Sequence, residues 1–447
     1  MKKIIALLLA AMMLIACVAM AEEMPEKKYP DLDFGGQTVY IYDWWSSGER
    51  DPEPDEETAM TYAYRDWIEE TYNVKIVEKA LSDWAGNPSE LANRVMNGQN
   101  DELCIIAVAA DFEGAPLAND LYMPWQIDLS DEKWNKAASD VMTKNGEVYG
   151  VHVGPTEPRS CMFFNKRVLT EAGIDWNTIY DAQADGTWNW DMLLDIMSKV
   201  QRDIDNDGVI DIWGMTGSND DLCIGLLFAN NAEFFCLDEE GKLAVGANTQ
   251  NALDAFTMFR TIEDTYVTPT PEGANWDWFK DYWETGTTAF YAGQTWQGFN
   301  DGAEMADMED EWGAVMFPMG PAAETYVAMA CDNIYGVPAV YDDATALMIQ
   351  QIYDVYTDPT PGLDDEDSWI GNKYNYTDDR AVDETYAMMR ESEHSAANRT
   401  YLLGSTNDVL GSSFLWGPIW SMTAAEAVES AMPVWQALVD TFNGVAE

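Results

Sequence analysis

Residues 103–109, Leu-Cys-Ile-Ile-Ala-Val-Ala, form an unbroken apolar run. The run is far too short to cross a bilayer, and a strand apolar on every side chain has to be covered on both faces. That requirement points to a sheet sandwiched between helices. The upstream segments agree. Residues 37–42 and 74–77 read as short strands. Between them Ala59, Ala63 and Trp67, with Met60, Tyr64 and Ile68 beside them, recur at four-residue spacing, as one face of a helix does. A second helix over 89–96 closes at Asn97-Gly98. Strand, helix, strand, helix, strand implies a parallel sheet with right-handed crossovers.

A second set of elements begins near Glu157. Residues 165–172 form a helix ended by Gly173. A further helix over 190–202 carries Met192, Leu193, Ile196, Met197 and Val200 on one face. Ala252, Ala255, Phe256, Phe259 and Ile262 mark another, capped by Thr249. Thr423-Ala-Ala-Glu426 is a capping box that opens a long C-terminal helix, which Pro433 should kink.

The first residues point to export. Lys2 and Lys3 precede an apolar run over 4–16, the pattern of a secretory signal peptide. Two processing sites overlap: Leu14-Ile15-Ala16-Cys17 reads as a lipobox, leaving a lipid on Cys17, and Ala19-Met20-Ala21 before Glu22 reads as an ordinary cleavage site. The two readings leave 1–16 or 1–21 as the leader, and a membrane-anchored lipoprotein or a free periplasmic or secreted protein. With 447 residues and 47% hydrophobic content the chain supports more than one domain with a core of its own. Its net charge of −55 repels nucleic acid, anionic lipid and phosphorylated ligands.

Several short motifs occur in a fixed order: Tyr42-Asp43-Trp44-Trp45; Asp101-Glu102-Leu103 through Ala110-Asp111-Phe112 to Leu121; and Gly146-Glu147-Val148-Tyr149-Gly150 into Phe164-Asn165-Lys166. Thr187-Trp188-Asn189-Trp190-Asp191, Asp203-Ile204-Asp205-Asn206-Asp207-Gly208, Gly286-Thr287-Thr288-Ala289-Phe290 and Trp312-Gly313-Ala314 to Pro318 follow. In this order they resemble the family 1 extracellular solute-binding proteins of ABC sugar importers, the maltose-binding-protein-like group, from about Gly36 to Phe442. The resemblance implies an α/β, two-lobed periplasmic-binding-protein fold of type II with the ligand in the cleft between lobes. It places the first lobe at 36–156 plus about 332–393 and the second at 157–327 plus about 394–447. The chain would cross between them at 155–161, at 327–332 and near Glu393. It also implies a monomer that hands its solute to membrane permease subunits. The stretch 358–379 matches no motif of the family.

Ligands of open parallel sheets sit off the carboxyl ends of the strands. This nominates Asp43, Trp44 and Trp45 after the first strand and Asp111 and Phe112 after the third, a mixture of flat apolar faces and hydroxyl acceptors suited to a sugar. With 19 tryptophans in the chain, core packing competes for each one; of the adjacent Trp44 and Trp45, one should face the cleft. Asp111 could instead cap the turn that follows it. By the resemblance, Trp296 in Gly293-Gln294-Thr295-Trp296 is the stacking aromatic of the second lobe. Glu157, Arg159 and Ser160 lie on the first crossing, and Trp416 and Trp420 fall where the last segment returns to the cleft.

Asp203, Asp205, Asp207 and Asp211 with the Val209 carbonyl reproduce most of a calcium loop, but its twelfth position is Gly214 rather than a bidentate Glu. A structural calcium competes there with a metal-free acidic turn; no other cofactor is implied. Cys104, Cys161, Cys223, Cys236 and Cys331 form no CxxC motif, and Cys223 could pair with Cys236 or remain a thiol. The rival class is a secreted glycoside hydrolase, which needs two carboxyls across one bond; nothing singles out such a pair, so a non-enzyme is expected. A second rival keeps the fold and binds a peptide, polyamine or other cation, since aromatic cages hold ammonium groups as well as sugars.

Overall fold

The computed structural model describes residues 24–154, 156–298, 305, 308–363 and 378–445. The leader with Cys17, Pro155 of the first crossing and much of the unmatched stretch, 364–377, lie outside the described residues.

The first unit opens with β1 (Gln37–Asp43), α1 (Glu56–Tyr72), β2 (Val74–Ala80), α2 (Asn87–Met96) and β3 (Leu103–Val108). Local chemistry sets the limits of α1. The Asp55 side chain accepts the Thr58 N–H, Glu56 and Glu57 face the positive end of the dipole, and Asn73 stops the helix at φ 49°. β1 pairs in parallel with both β2 and β3, with Val39 opposite Ile76 and Tyr40 opposite Cys104. Period-two alternation then sorts β3 between two cores. Cys104, Ile106 and Val108 pack with Tyr42 and Leu91, while Ile105 packs with Ile41 and Trp125.

The second sheet takes β4 (Ser160–Asn165), β5 (Trp213–Gly217), β6 (Thr288–Gln294) and β7 (Trp312–Val315) in the order β7-β4-β6-β5. Its helices are α3 (Trp190–Val200), α4 (Asn219–Phe228) and α5 (Gln250–Thr265). Asn189 caps α3 and Thr249 caps α5 through their side chains. β6 runs parallel to β5 and antiparallel to β4.

Between the two sheets the chain passes back and forth. β8 (Ala328–Ala330) bridges to Pro158, and after it β9 (Ile334–Gly336) joins the edge of the first sheet antiparallel to β3. The first sheet is therefore mixed, in the order β9-β3-β1-β2, rather than wholly parallel as its opening pattern implies. β9 enters straight from a crossing segment, with no helical connection to force parallel pairing. α6 (Asp343–Tyr356) covers this sheet with Ile349 and Tyr353. On α6, Asp354 takes Lys133 at 2.7 Å, Lys28 at 2.9 Å and the Tyr29 hydroxyl, tying the start of the described chain to the first unit.

β10 (Ser395–Ala397) pairs in parallel with β8, so segments 157–160, 328–332 and 395–398 run side by side. The contacts of the preceding segment differ from the sequence assignment of 332–393 to the first lobe. Asp378 accepts the Tyr180 hydroxyl at 2.8 Å, and Thr385 takes Gln183 at 2.9 Å and donates to the Ala314 carbonyl at 2.8 Å, so 378–389 belong against the second sheet. Buried hydroxyl, amide and carbonyl groups on that sheet need these partners. α7 (Ala424–Phe442) runs continuously through Pro433; its capping box forms between Thr423 and Glu426.

Candidate ligand cleft

Both sheets present their strand ends toward the crossing segments. After β1, Trp44 and Trp45 meet edge to face, centroids 4.7 Å apart, and Trp45 keeps 54% of its surface exposed. Asp43, nominated as a ligand acceptor, is only 2% exposed. Its Oδ1 accepts the backbone N–H groups of Trp45 and Ser46, and its Oδ2 accepts the Ser46 hydroxyl at 2.5 Å. Asp43 therefore builds the turn that presents the tryptophans and has little acceptor capacity left for a ligand, which corrects its assignment.

After β3, the turn Ala110–Phe112 carries Asp111. Its carboxylate caps neither neighbouring turn and lies beside Tyr401. Burial raises its pKa above the ordinary aspartate range despite Tyr401 and the nearby Arg159, and Asp220 of the second unit adds to the rise. Phe112 packs at 5.0 Å from Trp84, whose ring is 48% exposed. Trp84 is a candidate for the site that sequence reasoning missed. It follows β2, and the strand-end rule applied to the first and third strands would have found it had it been applied to the second.

On the other side, β6 runs into the turn Thr295–Gly298, which carries the half-buried Trp296. Its indole N–H donates to Gln294 Oε1 at 3.0 Å, and Gln294 Nε2 donates to Asp221 Oδ1 at 2.8 Å. Asp220 and Asp221 stand in the first turn of α4, where the helix dipole favours carboxylates; neither was nominated from the sequence. The Trp296 turn is tied to the first crossing by the Thr295 N–H to the Arg159 carbonyl at 2.9 Å and the Thr295 hydroxyl to the Pro158 carbonyl at 2.7 Å. On that crossing Arg159 Nη2 lies 3.4 Å from Glu157 Oε2, and the Glu157 N–H donates to Asp332 Oδ1. Ser160 is spent structurally, its hydroxyl oxygen accepting the Met329 N–H at 2.7 Å.

Trp416 is 52% exposed and lies over Gly411, where a β-carbon would come within 2.3 Å of the ring. Trp420 does not return to the cleft: its indole donates to the Leu415 carbonyl, and its ring packs on Phe259 and under Arg260 of α5. In the acidic loop Asp203, Asp205 and Asp211 bring carboxylate oxygens within 4.8 Å of one another, all near the surface. Asp207 is not part of this cluster; its Oδ1 accepts the Val209 N–H. Cys223 and Cys236 are unpaired thiols, as are Cys104, Cys161 and Cys331.

No protein-family profile and no curated protein matches the chain. Solved structures do. A cyclo/maltodextrin-binding protein complexed with maltotetraose superposes with a TM-score of 0.60 at 13% identity, over 93% of this chain and 99% of the other. UgpB from Mycobacterium tuberculosis in complex with glycerophosphocholine gives 0.61 at 13%, over 91% and 99%. An ABC transporter solute-binding protein from Thermotoga lettingae bound with α-D-tagatose gives 0.58 at 14%, over 90% and 99%. The chain has the two-lobed α/β fold of periplasmic-binding proteins along nearly its whole length. Among the described residues no helix is long and apolar enough to cross a membrane.

Proposed function

We propose that this chain is an exported solute receptor of an ABC importer, a family 1 binding protein that holds a carbohydrate by closing two lobes over it. One observation carries the reading: strand ends of both sheets bring aromatic faces and carboxylates to the same crossing segments. Trp44, Trp45, Trp84, Phe112 and Asp111 come from one side, and Trp296, Gln294, Asp220 and Asp221 from the other. A sugar offers apolar C–H faces to stack and hydroxyls to donate, and this lining complements both. Side-by-side segments at 157–160, 328–332 and 395–398 suit a hinge. The role is binding without catalysis, and permease subunits receive the solute from a monomeric receptor. The leader would place the protein outside the cytoplasm, anchored through Cys17 or free. The mature N-terminus decides between these by mass spectrometry: a free Glu22 rules out the lipoprotein.

The carboxylates around Arg159 support a second reading, in which the solute is a cationic molecule such as a polyamine or basic peptide. Intrinsic tryptophan fluorescence, titrated with neutral oligosaccharides, monosaccharides, polyamines and basic peptides, separates the two. Saturable quenching by a neutral glycan supports the first reading, and a response to cations alone supports the second. The Asp203–Asp211 loop is further proposed as a structural calcium site, supported by its three converging carboxylates. Calcium should then raise the melting temperature over that in chelator, and equal values would exclude the metal.

A further inference from the structure

Behind the cleft, one residue beyond Phe112, Glu113 is 5% exposed and its side chain makes no hydrogen bond among the described residues. It lines a cavity of about 20 Å³ together with Thr156, Asp332, Asn398 and Tyr401, contributed by all three crossing segments and their flanks. The space fits one water molecule. Two further polar groups are left without partners: the Asn398 Nδ2 lining the same cavity and, outside its lining, the buried hydroxyl of Tyr122, which lies in the field of Glu113. Buried polar groups are almost always satisfied, so an unpartnered amide in this small cavity, beside a buried carboxyl that makes no hydrogen bond, signals a shared water.

The charges around Glu113 decide which state it holds. Asp111 lies on its own turn, Asp332 faces it from the second crossing, and Tyr122 and Tyr401 present neutral hydroxyls. The nearby basic side chains face other groups. His152 Nε2 lies 3.6 Å from Asp332, and Arg159 pairs with Glu157 on the first crossing. Two carboxylates share the cavity, and only Asp332 has compensating contacts, from His152 and the Glu157 N–H. An ionised Glu113 would be a buried charge with no donor and a like-charged neighbour, whereas a neutral one could donate across the cavity.

We propose that Glu113 carries a proton at neutral pH and shares it with Asp332 through a water in the hinge cavity, so that the stability of the hinge and the closing of the lobes are linked to protonation. Burial, with Asp332 and Asp111 adding to it, drives the Glu113 pKa well above the ordinary glutamate range. The native protein then binds a proton that the unfolded chain has released. This contribution to stability is complete below the ordinary glutamate pKa and is lost as pH rises through the folded value. The link to closing rests on the receptor reading: closing further dries the cavity, so at pH values where Glu113 of the open form begins to ionise, ligand binding takes up a proton and affinity falls as pH rises.

The test compares wild type with Glu113→Gln, which mimics the neutral carboxyl, and with Asp332→Asn. Infrared difference spectra between wild type and Glu113→Gln at neutral pH should show the carbonyl stretch of a protonated carboxyl, and in Asp332→Asn that band should disappear at lower pH than in wild type. No such band overturns the proposal. The wild-type melting temperature should fall more steeply between about pH 5 and 8 than that of Glu113→Gln; parallel slopes overturn it equally. With the best glycan, affinity should fall with pH in wild type and stay flatter in Glu113→Gln, and identical pH dependence overturns the link to closing. If no solute binds at all, the receptor reading fails, and the infrared and melting measurements still decide the proton.

Discussion

Asp43 and Asp111 each stand where a parallel strand of the same sheet ends, and each precedes or accompanies an aromatic, yet they do different work. The Asp43 carboxylate accepts two backbone N–H groups and a hydroxyl from its own turn. Asp111 serves no donor of its own turn; Tyr401 of a distant segment lies beside it, and it stands in the field of Arg159 and of Asp220 across the cleft. A strand end therefore supplies a position, and whether a carboxylate there is available to a ligand depends on how many local donors it already serves. Trp44 and Trp45 owe their presentation to Asp43; Asp111 owes its availability to the lack of such a turn.

The largest effect should come from breaking the Asp43 turn. Asp43→Ala leaves two part-buried backbone donors and the Ser46 hydroxyl without their charged acceptor and should cost about 2–3 kcal/mol of stability, read from chemical denaturation, with ligand affinity falling because the tryptophans lose their support. If stability is unchanged and affinity alone falls, Asp43 is a ligand acceptor after all and the contrast with Asp111 collapses. Asp111→Asn should do the opposite. Affinity for the best glycan should weaken by about 1–3 kcal/mol, read by calorimetry, with the fold intact. Its raised pKa gives the sign for stability: the native carboxyl is harder to ionise than the unfolded one, so ionising it costs stability as pH rises past the ordinary aspartate range. Asp111→Asn should therefore be at least as stable as wild type at neutral pH, and a less stable variant would show the carboxylate to be structural.

The strand–helix pattern and the caps at Thr249 and Thr423 could be read from the sequence because they depend on neighbours in the chain. The antiparallel β9 and the docking of 378–389 on the second sheet could not, because each depends on partners more than a hundred residues away, such as Val108 for Ile334 and Tyr180 for Asp378. The site divides in the same way. Trp296 was recognised through a motif, whereas Asp220 and Asp221 look like ordinary first-turn acids until Gln294 and Asp111 are seen beside them. Trp420 shows the converse, a tryptophan in the expected order whose neighbours are Phe259 and Arg260.

A smaller effect should sharpen the first-lobe side. Trp84→Ala removes one exposed face of the pair with Phe112 and should weaken glycan binding by about 1 kcal/mol in a calorimetric titration, more for longer oligosaccharides than for monosaccharides. An equal loss for all lengths would place Trp84 beside the first sugar ring, and no loss would remove it from the cleft.

The central claim is that one carbohydrate is held from both sheets at once, and Trp296 tests it most directly because it is the aromatic of the second sheet, tied to Gln294 and Asp221 yet only half-buried. Calorimetric titration of wild type and Trp296→Ala with the best glycan of the fluorescence panel should give an affinity weaker by about 1–3 kcal/mol in the variant, with its melting temperature nearly unchanged. Equal affinities for the two proteins would contradict the two-sided cleft.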